Sequence, residues 1–321
     1  MQTGLILLGL IGLVAAIGSI VLPEYYFRTS LFKLLLLLLF LNMALCTIKQ
    51  AVNYVSRMLN GNRRNSFWFK RAGTTLLHFG IVLVLMGGGI NAYYGQNAQI
   101  SILEGDRVDI SRVLQIKQPV YLHLNKFSID FNRDGTPAQY YSSLDVSGND
   151  KKTKKTNVSV NHPLNYQGIK AYQESFGNLI KVEQNFGDGK STKALYAEED
   201  IFNVSGSNLQ VKVYKYIPNF DPNYGMETKT LRPDNPKIIY AVYNNKTLLD
   251  AGTASFGEKI QISAGQYIIF TGVKPYTVLK VKTDPGKPLT SFGGLLLIIG
   301  ICMALLPEAI GSRAIQDIAV S

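Results

Sequence analysis

His78 is the side chain with the clearest chemical potential in this 321-residue chain. It lies inside the apolar run 72–92, about six residues, or roughly 9 Å of helix, from the nearer end. An ionisable side chain within a membrane span is costly, so its presence indicates a function. A neutral imidazole is a good axial ligand for heme iron. A hydrogen bond between helices explains the residue equally well, and the residues alone leave both alternatives open.

The other histidines and the two cysteines give weaker signals. His123 stands in an alternating stretch that is typical of a strand surface. His162 precedes Pro163, which favours an extended residue before it, so the pair indicates a structural turn leading into a strand. His162 is nevertheless a second candidate contact for heme or substrate. Cys46 and Cys302 lie in apolar runs, far apart and outside any CxxC or CxxCH spacing, which predicts neither a disulfide framework nor covalent heme attachment to this chain.

Four apolar runs predict membrane-spanning helices. They lie at 4–22, 33–48, 72–91 and 289–306. A bilayer core of about 30 Å needs about 20 residues of helix. The second run is short, but Lys33 and Lys49 can extend it by placing their charged ends at the interfaces. The first run lacks a basic leader and is followed directly by another span, so we expect it to be retained rather than cleaved as a signal peptide.

The loop at 49–71 predicts the orientation of the chain. It carries six basic residues and no acidic residue, and short loops with such an excess stay in the cytoplasm. Both termini, including the tail 307–321, are therefore expected inside, and residues 92–288 outside. The same charges could form a nucleic-acid patch, but their position between two spans favours the topological explanation. We predict a lipid bilayer as the environment and no nucleic-acid partner.

Residues 92–288 show short alternating segments separated by Gly, Asn, Asp and Pro. Leu209, Val211 and Val213 alternate with polar residues, the period expected of a half-buried strand. Further segments of this kind lie at 122–131, 138–146, 237–243, 266–271 and 276–282. The predicted fold class is an α-helical integral membrane protein with four transmembrane helices and a β-rich extracytoplasmic domain. That domain is expected to be an antiparallel sandwich or open barrel.

Five short motifs occur in order along the chain. They are LHFG at 77–80, LEGD at 103–106, VNHPL at 160–164, YQESFG at 172–177 and KTDPG at 282–286. Each is weak alone, but their collinearity resembles the ResB (Ccs1) family of System II cytochrome c biogenesis. With further matches in the first two spans, such as IGS at 17–19 and LCT at 45–47, the resemblance runs from about residue 5 to residue 306. Members of this family form the CcsB part of CcsBA-type synthetases.

The resemblance implies a subunit of a heme-delivery and cytochrome c synthetase complex. The complex moves heme across the membrane and attaches it to the CxxCH motif of apocytochrome c. The implied cofactor is non-covalent heme b, held by His78 together with a histidine of a CcsA/ResC-type membrane partner. Thiol-reducing proteins are compatible further partners, and the bacterial cytoplasmic membrane is the implied location. The chain alone is not expected to be catalytic.

The sequence also departs from the family pattern. The 92–288 domain is more compact than in many relatives, and no CcsA-type sequence follows residue 306, so we expect the partner to be a separate polypeptide. The tryptophan-rich heme-handling segment belongs to that partner, and this chain has one tryptophan. The alternative is a heme-free, membrane-anchored scaffold of an envelope complex. Topology and composition fit it equally well, and His78 is the residue that discriminates between the two.

Overall fold

The computed structural model describes residues 2–21, 29–59, 65–149, 152–186, 190–263 and 265–305. The middle of the basic loop and the tail expected at 307–321 lie outside these residues. The chain divides into two compact units. The helical unit comprises Met1–Gly95 and Asp284–Ser321, and the β unit comprises Gln96–Thr283.

The helical unit contains four long helices. They are α1 (Gln2–Val21), α2 (Ser30–Leu59), α3 (Asn65–Tyr94) and α4 (Lys287–Leu305). Each is long and apolar enough to cross a membrane, which confirms the four predicted spans. α2 continues well past residue 48, where its apolar run ends. Its 30 residues measure about 45 Å, which is more than the hydrocarbon core of about 30 Å. The helix extends beyond the apolar run because its backbone hydrogen bonds do not require apolar side chains.

α3 and α4 pack against each other along a glycine seam. Its members recur every seventh residue: Gly73, Gly80 and Gly87 on α3, and Gly300, Gly293 and Gly286 on or just before α4. A Cβ added to Gly80 would lie 2.7 Å from the Gly293 carbonyl oxygen and 2.7 Å from the Leu297 amide nitrogen. The two backbones are therefore in direct contact, and such close packing is a main source of helix association in lipid. The seam determines which face of α3 is turned towards α4.

The β unit contains the following strands: β1 (Asn97–Leu103), β2 (Arg107–Asp109), β3 (Tyr121–Phe131), β4 (Pro137–Ser147), β5 (Thr153–Ser159), β6 (Leu164–Tyr166), β7 (Ile169–Asn185), β8 (Ser191–Tyr196), β9 (Ile201–Asn203), β10 (Leu209–Ile217), β11 (Lys237–Asn244), β12 (Thr247–Ser255), β13 (Lys259–Ser263) and β14 (Gln266–Thr283). They form three sheets. The central sheet has the order β1-β14-β7-β6, with β13 beside β14 and β8 beside β7. The other two have the orders β2-β3-β4-β5 and β12-β11-β10-β9. Neighbouring strands pair antiparallel, which confirms the predicted β-rich antiparallel class.

Two long strands of the central sheet, β7 and β14, run through both halves of the β unit. They pair from Tyr267 opposite Asn185 to Thr283 opposite Ile169. One half of the pair packs on the β2–β5 sheet, in a core that includes Leu122, Leu144 and Leu279. The other half packs on the β9–β12 sheet, in a core that includes Val211, Ile238 and Phe270. The β unit is thus two sandwich lobes that share one sheet.

Two segments that the alternating pattern predicts as separate strands form a single strand in the structure. Residues 266–271 and 276–282 read as two strands but belong to β14, which continues between them with a register shift at Phe270/Gly272. Gly272 has a φ of 143°, a conformation that side chains disfavour. A bulge interrupts the alternation without ending the strand, so periodicity alone reports two elements.

A hydrogen-bonded triad of side chains is buried between two of the sheets. Ser142 on β4 donates to Gln173 Oε1 on β7 at 2.7 Å and lies 2.8 Å from Thr277 Oγ1 on β14. Thr277 Oγ1 lies 3.0 Å from the same Gln173 oxygen, and both hydroxyl residues are fully buried. Buried polar groups that satisfy one another specify how the sheets are aligned. Gln173 of the YQESFG motif therefore has a structural role.

We predict that Gly80→Ala destabilises the helical unit. The added Cβ meets backbone atoms of α4, which cannot move as a side chain could, and overpacking of this kind costs about 1–3 kcal/mol. Gly88→Ala is the matched control, because Gly88 lies on the same helix with nothing within 4 Å of an added Cβ. Its unfolding midpoint should be unchanged or higher. Thermal unfolding of the full chain in detergent measures both, and equal midpoints for the two variants would contradict the seam.

We also predict that Thr277→Val destabilises the β unit by about 1 kcal/mol, because Gln173 Oε1 loses the hydrogen bond from Thr277 and keeps only the one from Ser142. Thr271→Val on the same strand is the control, since Thr271 is exposed. Chemical denaturation of the full chain, followed by tyrosine fluorescence, measures the difference. The triad has no energetic role if Thr277→Val unfolds at the same denaturant concentration as the control.

Candidate functional site

His78 lies in the middle of α3, and its imidazole is half-buried. Its Nδ1 atom lies 2.8 Å from the backbone carbonyl oxygen of Thr74, one turn earlier on the same helix. A carbonyl oxygen only accepts hydrogen bonds, so the Nδ1 atom must carry the proton in this contact. This assigns the tautomer in which Nε2 keeps its lone pair.

The hydrogen bond to Thr74 is the arrangement found in metal-bound histidines. A ligating imidazole generally donates its other ring N–H to a carbonyl or carboxylate, which fixes the ring and raises the basicity of the ligating nitrogen. In His78 the helix itself supplies that carbonyl. The local geometry therefore presents Nε2 as a neutral, oriented donor atom within an apolar segment.

His78 opens onto a cleft of about 450 Å³ formed by three helices, here called the imidazole cleft. Its lining residues are Gly4, Leu5 and Leu8 of α1, Asn42, Met43, Leu45, Cys46 and Lys49 of α2, and His78 and Ile81 of α3. Most of these side chains are apolar, and the cleft volume falls within the range of small-molecule and cofactor sites. Lys49 supplies the one charged side chain of the lining and is exposed.

The glycine seam explains why His78 faces this cleft. Gly80 follows His78 by two residues, which is about 200° around an α-helix. Because Gly80 faces α4, His78 is turned to the opposite side of α3, towards α1 and α2. Packing on one face of α3 thus determines the exposure of the imidazole on the other.

A polar contact holds α1 against α2 beside the cleft. Asn42 Nδ2 donates to Thr3 Oγ1 at 3.1 Å. A Cβ added to the neighbouring Gly4 would lie 2.9 Å from Asn42 Oδ1, so the glycine permits this approach. Hydrogen bonds between polar side chains of membrane helices commonly contribute to association. Asn42 therefore positions the α1 wall of the cleft.

His162, the second candidate, lies in the β unit on the turn between β5 and β6. Ser159 and His162 exchange backbone hydrogen bonds of 3.2 and 3.0 Å, and Asn161 between them has a φ of 67°. The His162 imidazole is exposed, with Nδ1 3.2 Å from the Val160 carbonyl oxygen. The motif at 160–164 thus forms a tight turn, and a heme or substrate contact by His162 stays a prediction.

The cleft includes residues whose part in it the sequence did not reveal. Cys46 and Asn42 belong to the apolar second span, where their types suggest ordinary helix packing, and Lys49 reads as an interfacial anchor. Their positions at i, i+4 and i+7 on α2 place all three on one helix face. That spacing was the available signal, but the partner of this face is only seen once the helices are packed.

The comparisons with known proteins confirm the family resemblance. The ResB-like family model matches residues 68–265 of the chain. Cytochrome c biogenesis protein CcsB of Gloeobacter violaceus is 27% identical over 248 residues, which cover 74% of this chain and 51% of that protein. Cytochrome c biogenesis protein Ccs1 of Emiliania huxleyi is 28% identical over 264 residues, which cover 79% of this chain and 57% of that protein.

The chain spans about half the length of the curated relatives it matches. Among solved structures, a cytochrome c heme lyase, CcmF, aligns with a TM-score of 0.36 and 11% identity over 94% of this chain and 34% of its own. That likeness is too remote to inform fold or function.

Proposed function

Because the chain belongs to the ResB-like family, we propose that it is a membrane subunit of cytochrome c biogenesis that holds heme b at His78. With a CcsA/ResC-type partner it would deliver heme to the CxxCH motif of apocytochrome c. Its matched relatives are named cytochrome c biogenesis proteins, which supports the pathway. The heme site is supported by the geometry of His78.

The observation that carries the proposal is the pairing of an oriented imidazole with an apolar cleft. The contact between His78 Nδ1 and Thr74 O leaves Nε2 as the donor atom, and the cleft beside it has a volume of about 450 Å³. Iron in heme needs only axial ligands from protein, and histidine is a common one. A scaffold would gain little from an ionisable group in a membrane span.

The lining of the imidazole cleft suits the chemical character of heme. Leu5, Leu8 and Ile81 supply an apolar wall for the macrocycle. Lys49 lies at the charged end of the lining, and its ammonium would pair with a heme propionate. Such a pair would orient the propionates towards the proposed cytoplasmic side, because Lys49 is the first of the basic residues at 49–71.

The second axial ligand is proposed to come from the CcsA/ResC-type partner. His78 offers one donor atom, and the family resemblance implies a matching histidine on the partner. Shared ligation would make heme binding depend on assembly of the complex. This subunit would then act by positioning heme rather than by catalysing alone.

The proposed orientation places the basic loop in the cytoplasm and the β unit outside, as the positive-inside rule expects. Heme would reach His78 from the cytoplasmic side, and the β unit would receive apocytochrome c. In thioether formation each cysteine sulfur bonds one carbon of a heme vinyl group, and the thiol proton goes to the other carbon. That chemistry belongs to heme and the substrate thiols, while the protein holds the reactants in place.

We predict that His78→Ala removes a low-spin heme spectrum from the complex. The reduced absorption spectrum of the full chain, purified with and without its CcsA-type partner, measures it. Heme content should fall by about tenfold or more, as is typical when metal coordination is disturbed, and added imidazole should restore the signal by entering the vacated position.

His123→Ala is the control for that experiment, because His123 lies on β3 with its Nδ1 3.0 Å from the Asp106 carbonyl oxygen, in the other unit. His162→Ala tests the second candidate in the same assay. If His78→Ala and the wild type have the same heme content and spectrum, His78 is a packing residue and the chain is better described as a scaffold.

A second prediction tests whether heme occupies the imidazole cleft, independently of its ligation by His78. Cys46→Phe should lower heme content several-fold while His78 remains, because the larger ring occupies space in the cleft. Cys302→Phe makes the same change at an exposed position on α4 and should bind heme normally. Heme stoichiometry by absorption measures both. Equal heme content in the two variants would place the heme outside this cleft.

A further inference from the structure

A groove of about 700 Å³ crosses the β unit between its two lobes, here called the waist groove. Its walls come from β3 in one lobe and from β10 and the following loop in the other, and its floor from the middles of β7 and β14. Aromatic and aliphatic side chains dominate the lining and include Phe127, Ile129, Phe176, Tyr216, Leu231 and Tyr276. An apolar concavity of this size at a lobe boundary is a typical binding site.

One wall of the waist groove is the open edge of a strand. β3 pairs with β4 along its length, but on its other side β2 covers only Tyr121–His123. In the described part of the chain, no strand pairs with this side of the stretch 126–131. Its alternate N–H and C=O groups on that side are therefore available, and Phe127, Ser128 and Ile129 of this stretch line the groove. Such edges readily accept another strand.

A bulge turns the side chains of this edge towards the groove. The register of β3 shifts between Leu124 and Lys126. Before the shift the buried residues are Leu122 and Leu124, and after it the inward positions are Phe127 and Ile129. One extra residue thus reverses the alternation and re-aims the strand. The apolar side chains of the open edge consequently contribute to the groove rather than to the outer surface.

The opposite wall has an edge that the protein covers with its own side chain. β9 pairs only with Gln210–Lys212 of β10. Further along β10, the Tyr216 amide donates to Glu198 Oε1 at 3.1 Å. A carboxylate therefore caps this strand edge in the way that an N-cap satisfies a helix end. This leaves the β3 edge as the wall with backbone groups to offer.

The floor is flattened by a tyrosine lying on a glycine. Tyr276 of β14 pairs with Gly177 of β7, and a Cβ at Gly177 would overlap the Tyr276 ring. Any larger residue at this position would displace the ring. Gly177 ends the YQESFG motif, so the last residue of that motif shapes the groove, while Phe176 stacks on Phe127 with ring centroids 5.2 Å apart.

The charges of the groove favour a neutral or basic occupant. Lys215 Nζ lies 2.9 Å from both carboxylate oxygens of Glu227, so this pair is neutralised internally. Glu198 adds a negative charge to the lining. The lining therefore carries one net negative charge, which would disfavour an acidic segment and admit a neutral or basic one.

We propose that the waist groove binds an extended segment of an unfolded polypeptide, which adds as a strand to the open edge of β3. Strand addition supplies backbone hydrogen bonds, while apolar pockets select alternate side chains. The open edge is about 20 Å long, enough for a strand of about six residues. This inference rests on the proposed function, in which the occupant is apocytochrome c around its CxxCH motif before heme is attached.

The first test uses the wild-type full chain in lipid nanodiscs and needs no variant. The probe is a short fluorescent peptide containing a reduced apocytochrome CxxCH segment, and anisotropy measures its binding. Two further peptides carry N-methyl groups on the odd or on the even amides. Since only alternate amides of an added strand face its neighbour, one methylated peptide should bind about tenfold or more weakly and the other normally. Equal affinities for the two methylated peptides, or no binding of the parent peptide, would overturn strand addition.

The second test locates the site. Ile129→Lys should weaken binding of the parent peptide by about tenfold, because it places a cation in the apolar groove beside the proposed strand. Asn125→Lys makes the same change of charge at an exposed position of β3 outside the groove and should bind normally. Equal binding by both variants would place the peptide elsewhere. If hemin binds the wild type and is lost in Ile129→Lys while the peptide does not bind, the groove is a heme site and the proposal is wrong.

The heme spectrum distinguishes this proposal from the proposed function. A chain whose spectrum depends on His78 but whose groove binds no peptide contradicts the groove alone. A chain that binds the peptide at Ile129 but shows no heme at His78 contradicts the heme site alone.

Discussion

Direct backbone contact between α3 and α4 is the constraint on which the helical unit depends. Glycines at every seventh position remove the side chains that would keep the two helices apart, and dispersion between backbones replaces the hydrophobic driving force that lipid cannot supply. The contact leaves no room for a side chain, because a single Cβ at Gly80 would meet the backbone of α4. By fixing the rotation of α3 about its axis, it also turns His78 towards α1 and α2.

The β unit depends on two long strands that are shared by both of its lobes. The pair β7–β14 belongs to both lobes, so neither lobe has a complete sandwich without it. Bulges in β14 and β3 allow long strands to bend and to change which face is buried. The boundary between the lobes is consequently a defined place, with a floor formed by the shared strands and walls contributed by each lobe. The two units thus offer different chemistry: an oriented imidazole in an apolar cleft, and a groove with an open strand edge.

Family motifs acquire separate physical meanings in this structure. LHFG combines the candidate ligand His78 with Gly80, whose lack of a side chain permits the packing that orients the ligand. VNHPL forms a turn held by reciprocal backbone hydrogen bonds. YQESFG contributes Gln173 to a buried triad and Gly177 to the floor of the waist groove. One motif therefore combines a residue of the site with a residue that positions it, while the others shape the fold.

Local composition determined the elements: four apolar runs long enough to cross a bilayer, an alternating β-rich middle, and a histidine whose burial cost indicates a function. These features depend on neighbouring residues, so the sequence displays them directly. The tertiary structure decided the contacts between distant residues. It paired Gly73, Gly80 and Gly87 with Gly300, Gly293 and Gly286, joined two predicted strands into β14, and gathered Asn42, Cys46 and Lys49 beside His78. Side-chain type and spacing define the faces of an element, whereas its partner and rotation are set only when segments far apart in the sequence pack together, as Gly80 and Gly293 do.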